Sequence, residues 1–142
     1  MRRYLVVANQ TLGGEALLAK LRSLVDSGPA SIHILVPATH PKKQWTWTEG
    51  ESMAIARARL EDALERFGGL GAEVSGEVGN ESPIDAIRAA LRGREIDEIV
   101  LSTLPPGPSR WLRQDLPSRV ARTFDLPVSH VISDADDQAV AG

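Results

Sequence analysis

Two polar clusters in this chain have the residue types to hold a ligand: Asn9-Gln10-Thr11 near its start, and Ser102-Thr103 followed by Ser109-Arg110 in its last third. Amide and hydroxyl groups of this kind bind polar ligands through hydrogen bonds, and Arg110 adds a planar cation suited to carboxylate or phosphate. Nucleophilic catalysis asks for more. Ser102 and Thr103 sit in no Gly-x-Ser-x-Gly elbow, and no histidine is placed beside them as a base. The three histidines, His33, His40 and His130, are scattered without the spacing of metal ligands, so no metal site is expected. His33 and His130 fall in strand-like runs as structural residues, and His40 is expected on the surface. Most carboxylates read as helix starts or solvated faces; Glu61, Asp62 and Glu65 share one amphipathic helix. No catalytic constellation emerges, and a non-enzyme is expected.

Composition sets outer bounds on the function. The 142 residues carry 16 basic and 19 acidic side chains, a net charge of −3, and 42% of them are apolar, enough for one domain with one sizeable core. Such a balance lacks the basic stripe of a nucleic-acid-binding domain. The absence of cysteine excludes disulfides, thiolate zinc sites, iron–sulfur clusters and a Cys nucleophile. Apolar runs such as Tyr4-Leu5-Val6-Val7-Ala8 are far shorter than a membrane span, and Met1-Arg2-Arg3 leads into no signal-peptide core. A soluble cytoplasmic protein is therefore expected. Of the 16 basic residues only three are Lys, a bias that suits anion recognition but that codon usage explains equally well.

The elements that must position the polar clusters follow from apolar spacing. Tyr4 to Ala8 reads as a buried strand, and Leu17, Leu18, Leu21, Leu24 and Val25 recur at helical spacing until Ser27-Gly28-Pro29. Ser31 to Val36 is a second strand. After a polar stretch from Pro37 to Gly50, the run Ala54, Ile55, Ala58, Leu60, Ala63, Leu64 and Phe67 forms a helix closed by Gly68-Gly69. Residues 72 to 78 alternate Ala72, Val74, Gly76 and Val78 with polar neighbours, the period-two mark of an edge strand. Ser82-Pro83-Ile84-Asp85 starts a helix, with Ser82 at the N-cap, Pro83 at the first position and Asp85 reaching back as in a capping box; Gly93 ends it. Glu98 to Leu101 is a fourth strand. A Pro/Gly loop, a helix containing Val120, Ala121 and Phe124, and a last strand from Pro127 to Ile132 complete the domain, residues 1–133, ahead of a small acidic tail, residues 134–142, expected to fray.

Alternating strands and helices imply an α/β domain with an open parallel sheet and helices on both faces. Ligands of such sheets bind beyond the carboxyl ends of the strands where strand order reverses, which directs attention back to Asn9–Gly14 and to Ser102–Arg110. Trp45 and Trp47, in the polar stretch, could stack on a flat ligand; folding back as a lid on the sheet or joining a subunit contact is the favoured reading. Trp111 is expected to pack its loop onto the domain.

Over nearly its whole length the chain resembles the universal stress protein family. The resemblance rests on the strand that runs into Asn9-Gln10-Thr11, on Gly79-Asn80-Glu81-Ser82-Pro83, on Asp97-Glu98-Ile99-Val100-Leu101-Ser102 and on Leu126-Pro127-Val128-Ser129-His130-Val131, in that order. It implies a Rossmann-like five-stranded parallel sheet of order 3-2-1-4-5, and dimers joined through the last strand, here Pro127, Val128, Val131 and Ile132. One branch of the family binds ATP, so ATP or another adenine nucleotide is the implied ligand, at Asn9, Thr11, Val36, Ser102, Thr103, Gly107, Ser109 and Arg110. In that branch an Asp contacts the nucleoside, and its position falls on Asn9. The branch also carries a Gly-x2-Gly-x9-Gly-Ser/Thr motif, whose glycines would fall on Ser102, on Pro105 and on Gln114 or Asp115. Glycine lets backbone N–H groups approach phosphate, whereas Pro105, Pro106 and Pro108 have no N–H to offer. Asp115, before Pro117-Ser118-Arg119, takes the place at a helix N-terminus that would otherwise attract phosphate. Against this, residues 105 to 122 carry four arginines, Arg110, Arg113, Arg119 and Arg122, and one Asp; the last two fit a solvated helix face.

The expected function is a small-ligand-binding or signalling module without tight ATP binding through the glycine motif. A dimeric interaction protein whose crevice has closed is the alternative. A nucleotide hydrolase ranks last, for want of a metal-binding carboxylate pair and a general base.

Overall fold

The computed structural model describes residues 1–38 and 49–133. His40, Trp45, Trp47 and the tail 134–142, all singled out in the sequence, lie outside the described residues. The elements run β1 (Arg2–Val7), α1 (Glu15–Asp26), β2 (Ala30–Pro37), α2 (Glu49–Gly68), β3 (Glu73–Gly79), α3 (Pro83–Leu91), β4 (Glu98–Thr103), α4 (Arg110–Arg113), α5 (Leu116–Phe124) and β5 (Val128–Ile132). All four strand pairings are parallel, and the sheet order is β3-β2-β1-β4-β5. This is the expected fold, with β3 and β5 at the edges.

Strand parity sorts the core into two layers. Central strands of a parallel sheet are covered on both faces and so read as unbroken apolar runs; in β1, Tyr4 to Val7 are all buried. Because side chains alternate, Val6, Ile34, Val36 and Val100 face one layer with Leu17 and Leu21 of α1 and Leu60, Ala63 and Phe67 of α2. Leu5, Val7, Leu35, Ile99 and Leu101 face the other, against Ala86, Ile87 and Ala90 of α3 and Leu116 and Val120 of α5. The register Val6↔Ile34 and Val6↔Val100 holds these rows level across the sheet. No helix among the described residues is long and apolar enough to cross a membrane.

Several local expectations need correction. Helix α2 begins at Glu49, five residues before the apolar run at Ala54, because its first turn, Glu49-Gly50-Glu51, is polar and shows no period. Ser82 does cap α3, its Oγ accepting the Asp85 N–H at 3.5 Å, but Asn80 Oδ1 rather than Asp85 takes the Ser82 N–H, at 2.8 Å. The four-residue α4 was not expected among prolines; Ser109 nucleates it by accepting the Leu112 N–H on Oγ at 3.1 Å.

Candidate functional site

Strand order reverses between β1, which continues through β2 on one side, and β4 on the other. At that reversal a cleft of about 690 Å³, counted to its open mouth, lies beyond the carboxyl ends of β1 and β4. Its floor is Asn9, Gln10 and Thr11 after β1 and Ser102 and Thr103 at the end of β4. Leu104, Pro108, Ser109, Arg110, Trp111 and Gln114 form one wall, and Glu81 and Pro83 at the start of α3 form the other.

The floor is held by side-chain bonds between distant segments. Thr11 Oγ1 and Ser102 Oγ are 2.6 Å apart and both buried, so they satisfy each other. Asn9 is buried with its amide spanning two neighbours: Nδ2 donates to the Pro37 carbonyl at 2.7 Å, and Oδ1 accepts from the Arg59 guanidinium of α2. Arg59 thus fixes which way the Asn9 amide points.

Thr103 links the floor to β5. Its hydroxyl donates to the Leu104 carbonyl at 2.9 Å and lies 2.8 Å from His130 Nε2. The single hydroxyl proton being used, Nε2 must carry the hydrogen that Thr103 accepts. Partial desolvation on the edge strand lowers the His130 pKa from its usual 6.5. A His whose folded pKa is depressed leaves the unfolded chain binding more protons as pH falls through 6.5, so stability falls with it. Thermal midpoints are accordingly expected to decline between about pH 7 and pH 5, and His130→Gln to make that decline shallower. Equal slopes in the two proteins would show that His130 titrates alike in both states.

Six of the eight expected site residues, Asn9, Thr11, Ser102, Thr103, Ser109 and Arg110, come together in the cleft. Two do not. Val36 has the same parity as Ile34 and is buried with it in the core layer under α1 and α2. Gly107 is exposed at the tip of the proline loop, with φ of 101° and its carbonyl accepting from Arg113 Nη1 at 3.3 Å. Of the four arginines between 105 and 122, only Arg110 lines the cleft; Arg113, Arg119 and Arg122 are exposed elsewhere. Asp115 precedes α5 in the left-handed region, φ 54°, and makes no side-chain capping bond. Trp111 packs against the core as expected and also lines the cleft. Leu104 lies in the Ser102–Arg110 loop expected at the site, whereas Glu81 and Gln114 line the cleft without being among the expected site residues, because nothing in their spacing marks them as neighbours of residue 9.

Comparison of the whole fold with solved structures decides its class. A universal stress protein in complex with cAMP aligns with 94% of this chain and 98% of its own, at TM-score 0.62 and 18% identity. The universal stress protein from Archaeoglobus fulgidus in complex with dAMP covers 92% and 97%, at 0.62 and 16%. The fold is that of the universal stress proteins. A universal stress protein family member from Arabidopsis thaliana with AMP bound shares it too, over 96% and 95% of the two chains at TM-score 0.63 and 13% identity. No protein-family model matches the sequence, and no curated protein is significantly similar to it. The universal stress protein fold is carried here by a sequence that shares under a fifth of its residues with these three structures.

Proposed function

We propose that this protein is a binding module that takes an adenine nucleoside or a nucleotide of low charge in the cleft at the strand reversal, and signals through its occupancy. The observation that carries this reading is the convergence of Thr11, Ser102, Thr103, Ser109 and Arg110 on one open cleft. The cAMP, dAMP and AMP held by three proteins of the same fold support the ligand class. Charge argues against a triphosphate: among the described residues the cleft walls carry one cation, Arg110, and one carboxylate, Glu81. Backbone donors are scarce as well. The Ser109 N–H is used by the Pro105 carbonyl, the Leu112 N–H by Ser109 Oγ and the Arg113 N–H by the Ser109 carbonyl, while Pro105, Pro106 and Pro108 have none. Binding through a phosphate-cradling glycine motif is not part of this reading.

The same reading makes the protein a cytoplasmic homodimer without catalytic turnover at this cleft. Strand β5 is a sheet edge, and Ile132 on it is 47% exposed, so Pro127, Val128, Val131 and Ile132 offer the contact for a second copy. Isothermal titration with AMP, cAMP and ATP tests the ligand. Heat is expected with AMP or cAMP and much less with ATP, and Arg110→Ala should weaken the binding by about 1.5–3 kcal/mol, the worth of a charged hydrogen bond. No heat with any of the three would leave the interaction protein as the better reading.

A further inference from the structure

A second cluster lies on the edge of the sheet, away from the cleft at the strand reversal. Ser75 and Glu77 are two apart on β3 and share a face, and the parallel register sets His33 of β2 opposite Ser75. The buried imidazole of His33 reaches both: Nδ1 lies 2.7 Å from Ser75 Oγ, and Nε2 lies 2.6 Å from Glu77 Oε2. An ionised carboxylate can only accept, so neutral His33 carries its hydrogen on Nε2 and presents the Nδ1 lone pair to the Ser75 hydroxyl. Arg94 Nη2, 3.6 Å from Glu77 Oε2, places a cation on the same carboxylate. A structural histidine satisfied on both sides would need no more than this. Here, however, Ser75 is exposed, and an open cleft of about 790 Å³ bordered by Ser31, Ser75, Gly93 and Arg94 gives a ligand access to it.

We propose that Ser75, His33 and Glu77 form a hydrolytic triad for small carboxylic esters. Ser75 Oγ adds to the ester carbonyl carbon while its proton passes to His33 Nδ1, and Nε2–H stays on Glu77. The tetrahedral adduct breaks its bond to the alkoxy oxygen, which leaves as the alcohol with the proton from Nδ1, and the acyl group remains on Ser75. Water then adds to the acyl carbon, giving its proton to Nδ1; the Ser75 oxygen departs and takes that proton back, releasing the carboxylic acid. Ser75 is the nucleophile and His33 the base. Glu77 is a positioning residue that holds the tautomer.

The test uses the full chain with p-nitrophenyl acetate and with a fluorophosphonate probe, followed by peptide mapping. A single phosphonyl adduct on Ser75 is expected, with ester turnover that falls about 10²-fold or more in Ser75→Ala. Ser118→Ala, an exposed serine of α5, should retain both label and turnover. Glu77→Gln should lower kcat with KM unchanged, a split that a merely structural carboxylate would not produce. His33→Gln should abolish labelling; if that buried variant fails to fold, Ser75→Ala, at an exposed position, decides alone. No adduct on Ser75, or turnover that survives Ser75→Ala, overturns the proposal.

Discussion

Phe67→Ala should cost about 3–5 kcal/mol of folding stability, read as a lowered denaturant midpoint at constant slope. Among the described residues Phe67 is the largest fully buried side chain, and it sits in the last turn of α2, where it packs with the layer that holds Leu17, Leu21, Ile34 and Leu60. Truncation removes the transfer energy of the ring and leaves a void between α2 and the sheet, and neighbours anchored on β1 and β2 can close it only in part. Against a total of about 5–15 kcal/mol for a domain, that is a large share, about 10 °C or more in midpoint temperature at this chain length. Phe67→Leu, which keeps most of the volume, should lose far less. The site should feel the change too, because α2 also carries Arg59, whose guanidinium orients the Asn9 amide. A loss below about 1 kcal/mol in Phe67→Ala would mean that the pocket collapses around the gap, contrary to the packing described.

The second large effect is expected at Gly76, in the middle of edge strand β3. A Cβ there would lie 2.5 Å from Leu60 Cδ1 of α2 and 2.9 Å from the Ile34 carbonyl oxygen of β2. Leu60 can rotate away, but the carbonyl belongs to the sheet backbone and can move only if the β2–β3 pairing shifts. Gly76→Val should therefore destabilise by about 3 kcal/mol, near the top of the usual range for overpacking, although valine is the better strand former. Space, not backbone conformation, is the cause. Gly68, the last residue of α2, is the natural contrast: a Cβ there meets nothing within 4 Å, so Gly68→Ala should be neutral or stabilising by up to about 1 kcal/mol. Paired melts of the two variants check both statements, and similar losses in the two would contradict the steric account.

How much of this was legible beforehand depends on the range of the interaction. Helix α3 could be placed from four residues because its start signal is local: Ser82 accepts from a backbone N–H three residues on, and Pro83 suits the first turn. The short α4 escaped notice because Pro105, Pro106 and Pro108 mark a loop, and only the Ser109 hydroxyl turns the chain into a helix after them. Family resemblance points to Val36 as a site residue, whereas strand parity assigns its side chain to the core with Ile34. In the Arg-rich segment from 110 to 122, Arg119 and Arg122 fit a solvated helix face by spacing alone. Helical geometry disperses the segment and leaves Arg110 alone on the cleft wall.

By itself, then, the sequence determined the order of the strands and of every helix but α4, which runs would be apolar, and that cysteine chemistry is absent. Those features are written in neighbouring residues, through spacing, capping and composition. Only the tertiary structure decided the pairs at the two proposed sites: Thr11 with Ser102, Asn9 with Arg59, and His33 with Ser75 and Glu77. Their partners stand 42 to 91 positions apart in the chain. What brings them within hydrogen-bond reach is the seating of α2 on the sheet and the register of parallel strands, which sets His33 and Ser75 level with buried Leu5 and Ile99, and Glu77 level with buried Leu35 and Val7.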